Sequence, residues 1–112
     1  MAVRLFTDDP SKALGALKRM IDEGHIDTWR YDSQGDFTHT AASGQWKNKA
    51  WLRPKLCADR LEMNIIRPKN GSVDREVYAV YHGRFIETAV AHIPKLFTVG
   101  AATAGATDHD LV

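Results

Sequence analysis

The spacing of apolar residues changes twice within the first thirty positions. Val3 to Thr7 is a short apolar run that predicts a strand, and Asp8-Asp9-Pro10 then opens a helix. An aspartate there can cap, and the proline sits where its missing N–H costs nothing. Leu14, Leu17, Met20 and Ile21 recur at helical spacing among Lys12, Lys18, Arg19, Asp22 and Glu23, so an amphipathic helix is expected from Pro10 to Glu23. Gly24 stops it, because a residue without Cβ enters the left-handed turn at little cost. Next come two β-leaning runs, Asp27 to Asp32 and Asp36 to Thr40, joined by Ser33-Gln34-Gly35. That linker suits a three-residue hairpin loop with Gly35 left-handed.

Ala41 to Asp59 has no clean period and reads as a long ordered loop, with a short helix or strand near Trp51. Leu61, Met63 and Ile65 then alternate with Glu62 and Asn64, and Asn70-Gly71 carries a hairpin signal. With those two residues as the turn, Arg67 faces Asp74, Met63 faces Tyr78, and a second strand runs from Glu76 to His82 into Gly83. Phe85, Ile86, Ala89, Val90 and Ile93 mark one face of a second helix that stops near Pro94. Leu96 to Val99 reads as a last strand.

This order predicts an α+β fold: an antiparallel or mixed sheet of about four to five strands with two helices packed on one face. A ferredoxin-like arrangement is the nearest common layout. Residues 1–100 are expected to form one domain, and 101–112 a flexible C-terminal tail of small and polar residues.

Composition narrows the function classes. The chain has 112 residues and one cysteine, Cys57, so an intrachain disulfide and a Cys-rich zinc site are both excluded. No stretch approaches the ~20 apolar residues of a membrane span, so no membrane partner is expected and a cytoplasmic setting is the default. The net charge of +1 conceals segregation: residues 37–72 hold 7 basic and 2 acidic side chains, while the blocks on either side are net acidic. A globally basic nucleic-acid binder is ruled out, but a local anionic contact is not.

Three groups of residues could carry chemistry. In the first, Trp46, Lys47, Lys49, Trp51, Arg53 and Lys55 alternate cations with indoles. Single-stranded nucleic acid needs both, and protein interfaces also favour Trp and Arg. The plainer reading is a pair of core indoles beside solvated lysines. In the second, Asp32, Asp36 and His39 supply two carboxylates and an imidazole for a divalent metal or acid/base work. An odd spacing, however, sends Asp36 and His39 to opposite faces of a regular strand, and an Asx turn at Asp32 with Asp36 exposed explains the same residues. In the third, His82 and Arg84 flank Gly83 where a strand would enter a helix, which makes an alternative anion site at a helix N-terminus. Its plainer reading pairs Arg84 with Glu87 or Thr88.

Nucleophilic catalysis has no supporting motif, and no cofactor is implied. The sequence favours a small non-enzymatic binding module whose basic and aromatic loop contacts single-stranded nucleic acid or an acidic protein. An exposed sheet edge would allow a homodimer. The alternative is a metal-dependent hydrolase or nuclease using Asp32, Asp36 and His39, or Asp8 at the end of the first strand.

Overall fold

The computed structural model describes residues 2–40, 45–69 and 71–107. Among the described residues, six strands and two helices follow the order β1 (Ala2–Phe6), α1 (Pro10–Asp22), β2 (Trp29–Tyr31), β3 (Phe37–His39), β4 (Trp51–Leu56), β5 (Arg60–Ile66), α2 (Arg75–His92) and β6 (Val99–Ala102). All strands join one antiparallel sheet in the order β2-β3-β4-β5-β1-β6. The sequence underestimates the count: the sheet has six strands rather than four or five.

Local chemistry accounts for the elements read correctly. Asp9 caps α1, its carboxylate accepting from the Lys12 N–H at 3.1 Å, and Pro10 begins the first turn. Gly24 follows the helix at φ +80°. In the β2–β3 hairpin Tyr31 lies opposite Phe37 and Trp29 opposite His39, with Gly35 at φ +83°. Asp32 forms the expected Asx turn, its Oδ1 accepting from the Gln34 and Asp36 amides at 2.9 and 3.0 Å.

Three expectations are corrected. First, Glu76 to His82 is not a strand and there is no hairpin between it and β5. One helix of 18 residues runs from Arg75 to His92, and Asp74 caps it by accepting from the Val77 N–H at 2.9 Å. Asn70, half of the expected turn, lies outside the described residues. The strand that pairs with β5 across a tight turn is β4, where Cys57 N–H donates to the Arg60 carbonyl. Second, β4 falls inside the stretch read as a loop, so most of the basic island is sheet. Third, the last strand is Val99–Ala102 rather than Leu96–Val99, so Ala101 and Ala102, read with the tail, belong to β6, and Thr103 exchanges hydrogen bonds with Ala2. Residues 108–112 lie outside the described residues.

The core gathers alternate strand positions and both helices into one cluster. Val3, Leu5, Leu52, Leu61, Met63 and Ile65 meet Ala13, Ala16 and Leu17 of α1 and Val77, Tyr81, Phe85 and Ala89 of α2. Register lines these strand residues up: Leu5 opposite Leu61, Val3 opposite Met63, and Leu52 opposite Ile65. They therefore share one face, and both helices pack on it. Trp29 adds three edge-to-face ring contacts, with His39, Tyr81 and Phe85. Among the described residues no helix is long and apolar enough to cross a membrane.

Candidate functional site

Alternation along β4 decides where the basic island points. Leu52 is fully buried beneath the helices, so Trp51, Arg53 and Lys55 lie on the opposite face of the sheet. Trp51 is half-buried there, and Arg53 and Lys55 are exposed. The register extends this face across the sheet: Arg53 lies beside Asn64, which lies beside Ala2, and Lys55 beside Glu62, which lies beside Arg4. Arg60 lies opposite Phe6 on the same face. The structure thus adds Arg4 and Arg60 to the island, which the sequence reading missed. Arg4 carried a signal, the one charged position between buried Val3 and Leu5, but its partner strand was not identifiable.

Ion pairs fix three arginines on this face, Arg60 among them through Asp59 at 2.8 Å as well as Glu62. Asp36 receives a bidentate contact from Arg53, Nε to Oδ1 at 3.1 Å and Nη2 to Oδ2 at 3.0 Å. Asp36 is buried rather than exposed, which corrects the plainer of the two sequence readings. Glu62 is also buried, on the side of the sheet no helix covers. Arg4 Nε donates to its Oε1 at 2.9 Å, Arg60 Nη2 reaches the same oxygen at 3.5 Å, and Asn64 donates to Oε2 at 3.3 Å. Burial raises the Glu62 pKa, but the hydrogen bonds from Arg4 and Asn64 and the charges of Arg60 and Arg4 outweigh it, leaving the group below the usual carboxylate value. Asn64 in turn accepts from the Thr107 hydroxyl at 3.1 Å.

The remaining island residues go elsewhere. Trp46 packs against the core edge, where its carbonyl accepts from the Tyr81 hydroxyl. Lys47 and Lys49 are exposed on the turn that leads into β4, and the Lys49 N–H donates to Tyr81 Oη at 3.0 Å. The structure therefore assembles Trp51, Arg53 and Lys55, places Lys47 and Lys49 at the approach to them, and takes Trp46 out of the patch.

Asp32, Asp36 and His39 do not converge. Asp32 is occupied with its turn, Asp36 with Arg53, and the His39 ring sits 5.2 Å from the Trp29 centroid and 6.1 Å from that of Tyr81. Among the described residues no group of three His, Cys, Asp or Glu side chains could hold a metal ion. Asp8 lines a cavity of ≈ 500 Å³ with Asp59, Lys95 and Phe97, at the far end of β1.

The expected anion site at His82 and Arg84 is overturned in its geometry. Both residues lie inside α2, where the backbone N–H groups are already bonded within the helix, so no helix N-terminus is available to them. His82 is buried with Nδ1 2.6 Å from the Tyr78 carbonyl, and Arg84 pairs with Glu87 at 3.4 Å, as the plainer reading had it. Arg84 does meet another histidine. Together with His39, Thr28, Gln45, Trp46, Glu87 and Thr88 it lines a cavity of ≈ 300 Å³. Burial, with a contribution from the Arg84 charge, holds the His39 pKa below the ordinary imidazole value. Comparison with protein-family models, curated proteins and solved structures finds no match to this chain.

Proposed function

We propose that the protein is a non-enzymatic binding module that receives single-stranded nucleic acid on the sheet face its helices leave uncovered. The observation that carries this reading is the shared face of Trp51, Arg53 and Lys55, extended by Arg4 and Arg60. Cations there attract phosphates, and the half-buried indole offers a stacking surface, on the order of 1–3 kcal/mol per base. The Asp36 and Glu62 contacts orient the guanidinium groups of Arg53 and Arg4 and remove part of their charge, so the electrostatic share of affinity is modest. A nucleic acid is favoured over an acidic protein because the face pairs cations with an aromatic platform, while the exposed large apolar residues, Leu56, Val90 and Val99, form no central anchor.

The connectivity supports a ferredoxin-like frame as part of the same proposal. Strands β1, β4, β5 and β6 with the two helices follow a strand-helix-strand-strand-helix-strand order and lie as β6-β1-β5-β4, with β2 and β3 an added hairpin beyond β4. A cytoplasmic location and self-association through the β6 edge belong to this proposal too.

Fluorescence anisotropy of a labelled single-stranded oligonucleotide, titrated at several salt concentrations, tests it. Three or four phosphate contacts predict a log–log salt slope of about −2 to −3. Lys55→Ala should make that slope shallower by about 0.7, and Trp51→Ala should weaken binding at every salt concentration. No binding at low salt removes the proposal. Equal binding to a polyglutamate competitor transfers the face to an acidic protein partner and also overturns it.

A further inference from the structure

The cavity lined by Arg84 lies on the helix side of the sheet, away from the basic face, and has a different character. Thr28 precedes β2, His39 ends β3, Gln45 and Trp46 belong to the turn before β4, and Arg84, Glu87 and Thr88 come from α2. On α2 those three stand at i, i+3 and i+4, so their side chains share one face of the helix. At ≈ 300 Å³ the cavity is at the small end of the range for bound small molecules. His39, 4% exposed, and Trp46, packed against the core, are among its lining residues.

The charges in this cavity are balanced. Burial and the Arg84 charge disfavour the protonated form of His39, and the lining otherwise holds one guanidinium, Arg84, and one carboxylate, Glu87. A simple anion would be attracted by Arg84 and repelled by Glu87; a simple cation would meet the reverse. A molecule carrying both charges satisfies both side chains at once. The existing Arg84–Glu87 contact is long, 3.4 Å, and both side chains are more than half exposed, so separating them costs little. Thr28, Thr88 and Gln45, which also line the cavity, carry side chains that can donate or accept.

We propose that this cavity binds a zwitterion of the free amino acid class, its carboxylate on Arg84 and its ammonium on Glu87. Trp46 and Gln45 would face the ligand's side chain, which favours one that combines methylene groups with a polar end. Binding does not depend on the nucleic-acid reading, because none of the oligonucleotide-facing residues lines the cavity.

The test uses the full chain with L-glutamine and L-serine as probes, and acetate and methylamine as carriers of one charge each. Amide chemical-shift titration reports which residues respond. The expected result is saturable shifts at His39, Arg84, Glu87 and Thr88 with an amino acid, and neither saturation nor the same pattern with acetate or methylamine. Arg84→Gln and Glu87→Gln should each weaken binding at least tenfold, and because both positions are exposed on a helix, unchanged thermal melts should show that both variants fold. Absence of shifts with either amino acid overturns the proposal. So does acetate binding as tightly as the amino acids, which would make the cavity an anion site, or amino-acid binding that survives both substitutions.

Discussion

Glu62 and His39 are both buried, and their surroundings treat their charge in opposite ways. For Glu62, burial is outweighed by Arg4, Asn64 and Arg60, so the folded chain favours the carboxylate more than the unfolded chain does. Its stabilising contribution is complete above the ordinary carboxylate value and is lost as pH falls through the lower folded value. Removing the Arg4 contact leaves a buried carboxylate with fewer partners. Arg4→Ala is therefore expected to lower stability at neutral pH by about 1.5–3 kcal/mol, toward the low end because the Arg4 side chain is about a third exposed. Urea denaturation measures this, and the gap between variant and parent should close in acid once Glu62 is protonated. A gap that stays constant in acid would mean that Arg4 stabilises through packing alone. His39 has the other sign: its folded pKa lies below the unfolded one, so the unfolded chain takes up more protons as pH falls. Stability should drop as pH passes from the ordinary imidazole value down through the folded value, and His39→Gln should flatten that part of the profile. Melting temperatures of both proteins between about pH 7 and pH 5 decide it; parallel profiles would rule out His39 as a source.

At the scale of elements, α2 holds the most informative residue. Gly83 sits in the middle of this helix, exposed, and a Cβ placed there meets nothing within 4 Å. Glycine in a helix interior loses about 0.5–1 kcal/mol relative to alanine, so Gly83→Ala is expected to stabilise the protein by about that amount and to raise its melting temperature by several degrees. A fall in melting temperature would show that the exposed side of α2 needs the open space. The same glycine explains why the helix was not legible as one unit. Val77, Tyr78, Val80 and Tyr81 favour strands when taken alone, and Gly83 resembles a break. The buried set Val77, Tyr78, Tyr81, Phe85 and Ala89 nevertheless follows helical spacing across it. Packing against the sheet overrides the local preference. Strand β4 was hidden for a different reason, since Pro54 cannot serve a central ladder. It is tolerated because the ladder between β3 and β4 is a single pair, Phe37 opposite Leu52, so Pro54 has no ladder partner on β3. By contrast α1 and the β2–β3 hairpin were legible, since Asp9, Pro10, Gly24 and Gly35 do local work that tertiary contacts only reinforce.

The candidate face belongs to the whole molecule, and that is why only part of it could be read from the chain. Trp51, Arg53 and Lys55 share it through alternation alone, a local rule. Arg4 joins them only because β1 pairs with β5 in one register, Arg4 opposite Glu62 and Glu62 opposite Lys55, and nothing within either segment dictates that pairing. The same sheet order sets a gradient of rigidity. Strands β4, β5 and β1 are joined by five or six residue pairs at each junction, whereas β2 and β3 contribute three residues each and one pair ties them to β4. Opening β2 and β3 breaks one ladder pair to β4, the Asp36–Arg53 ion pair and the packing of Trp29 and Phe37, while opening β5 breaks the ladders to both β4 and β1 and exposes the core residues Leu61, Met63 and Ile65. Native-state amide exchange should therefore place the β5 and β1 amides in the slowest class, exchanging only through global unfolding. Amides of β2 and β3 should exchange through a smaller opening that is insensitive to low denaturant. That local opening would also loosen His39 and Thr28 at the cavity while leaving Arg53 and Lys55 on intact sheet. Global exchange in β2 and β3 as slow as in β5 would contradict this, showing that Trp29 and its ring contacts tie the hairpin to the core more strongly than its single ladder pair to β4 implies.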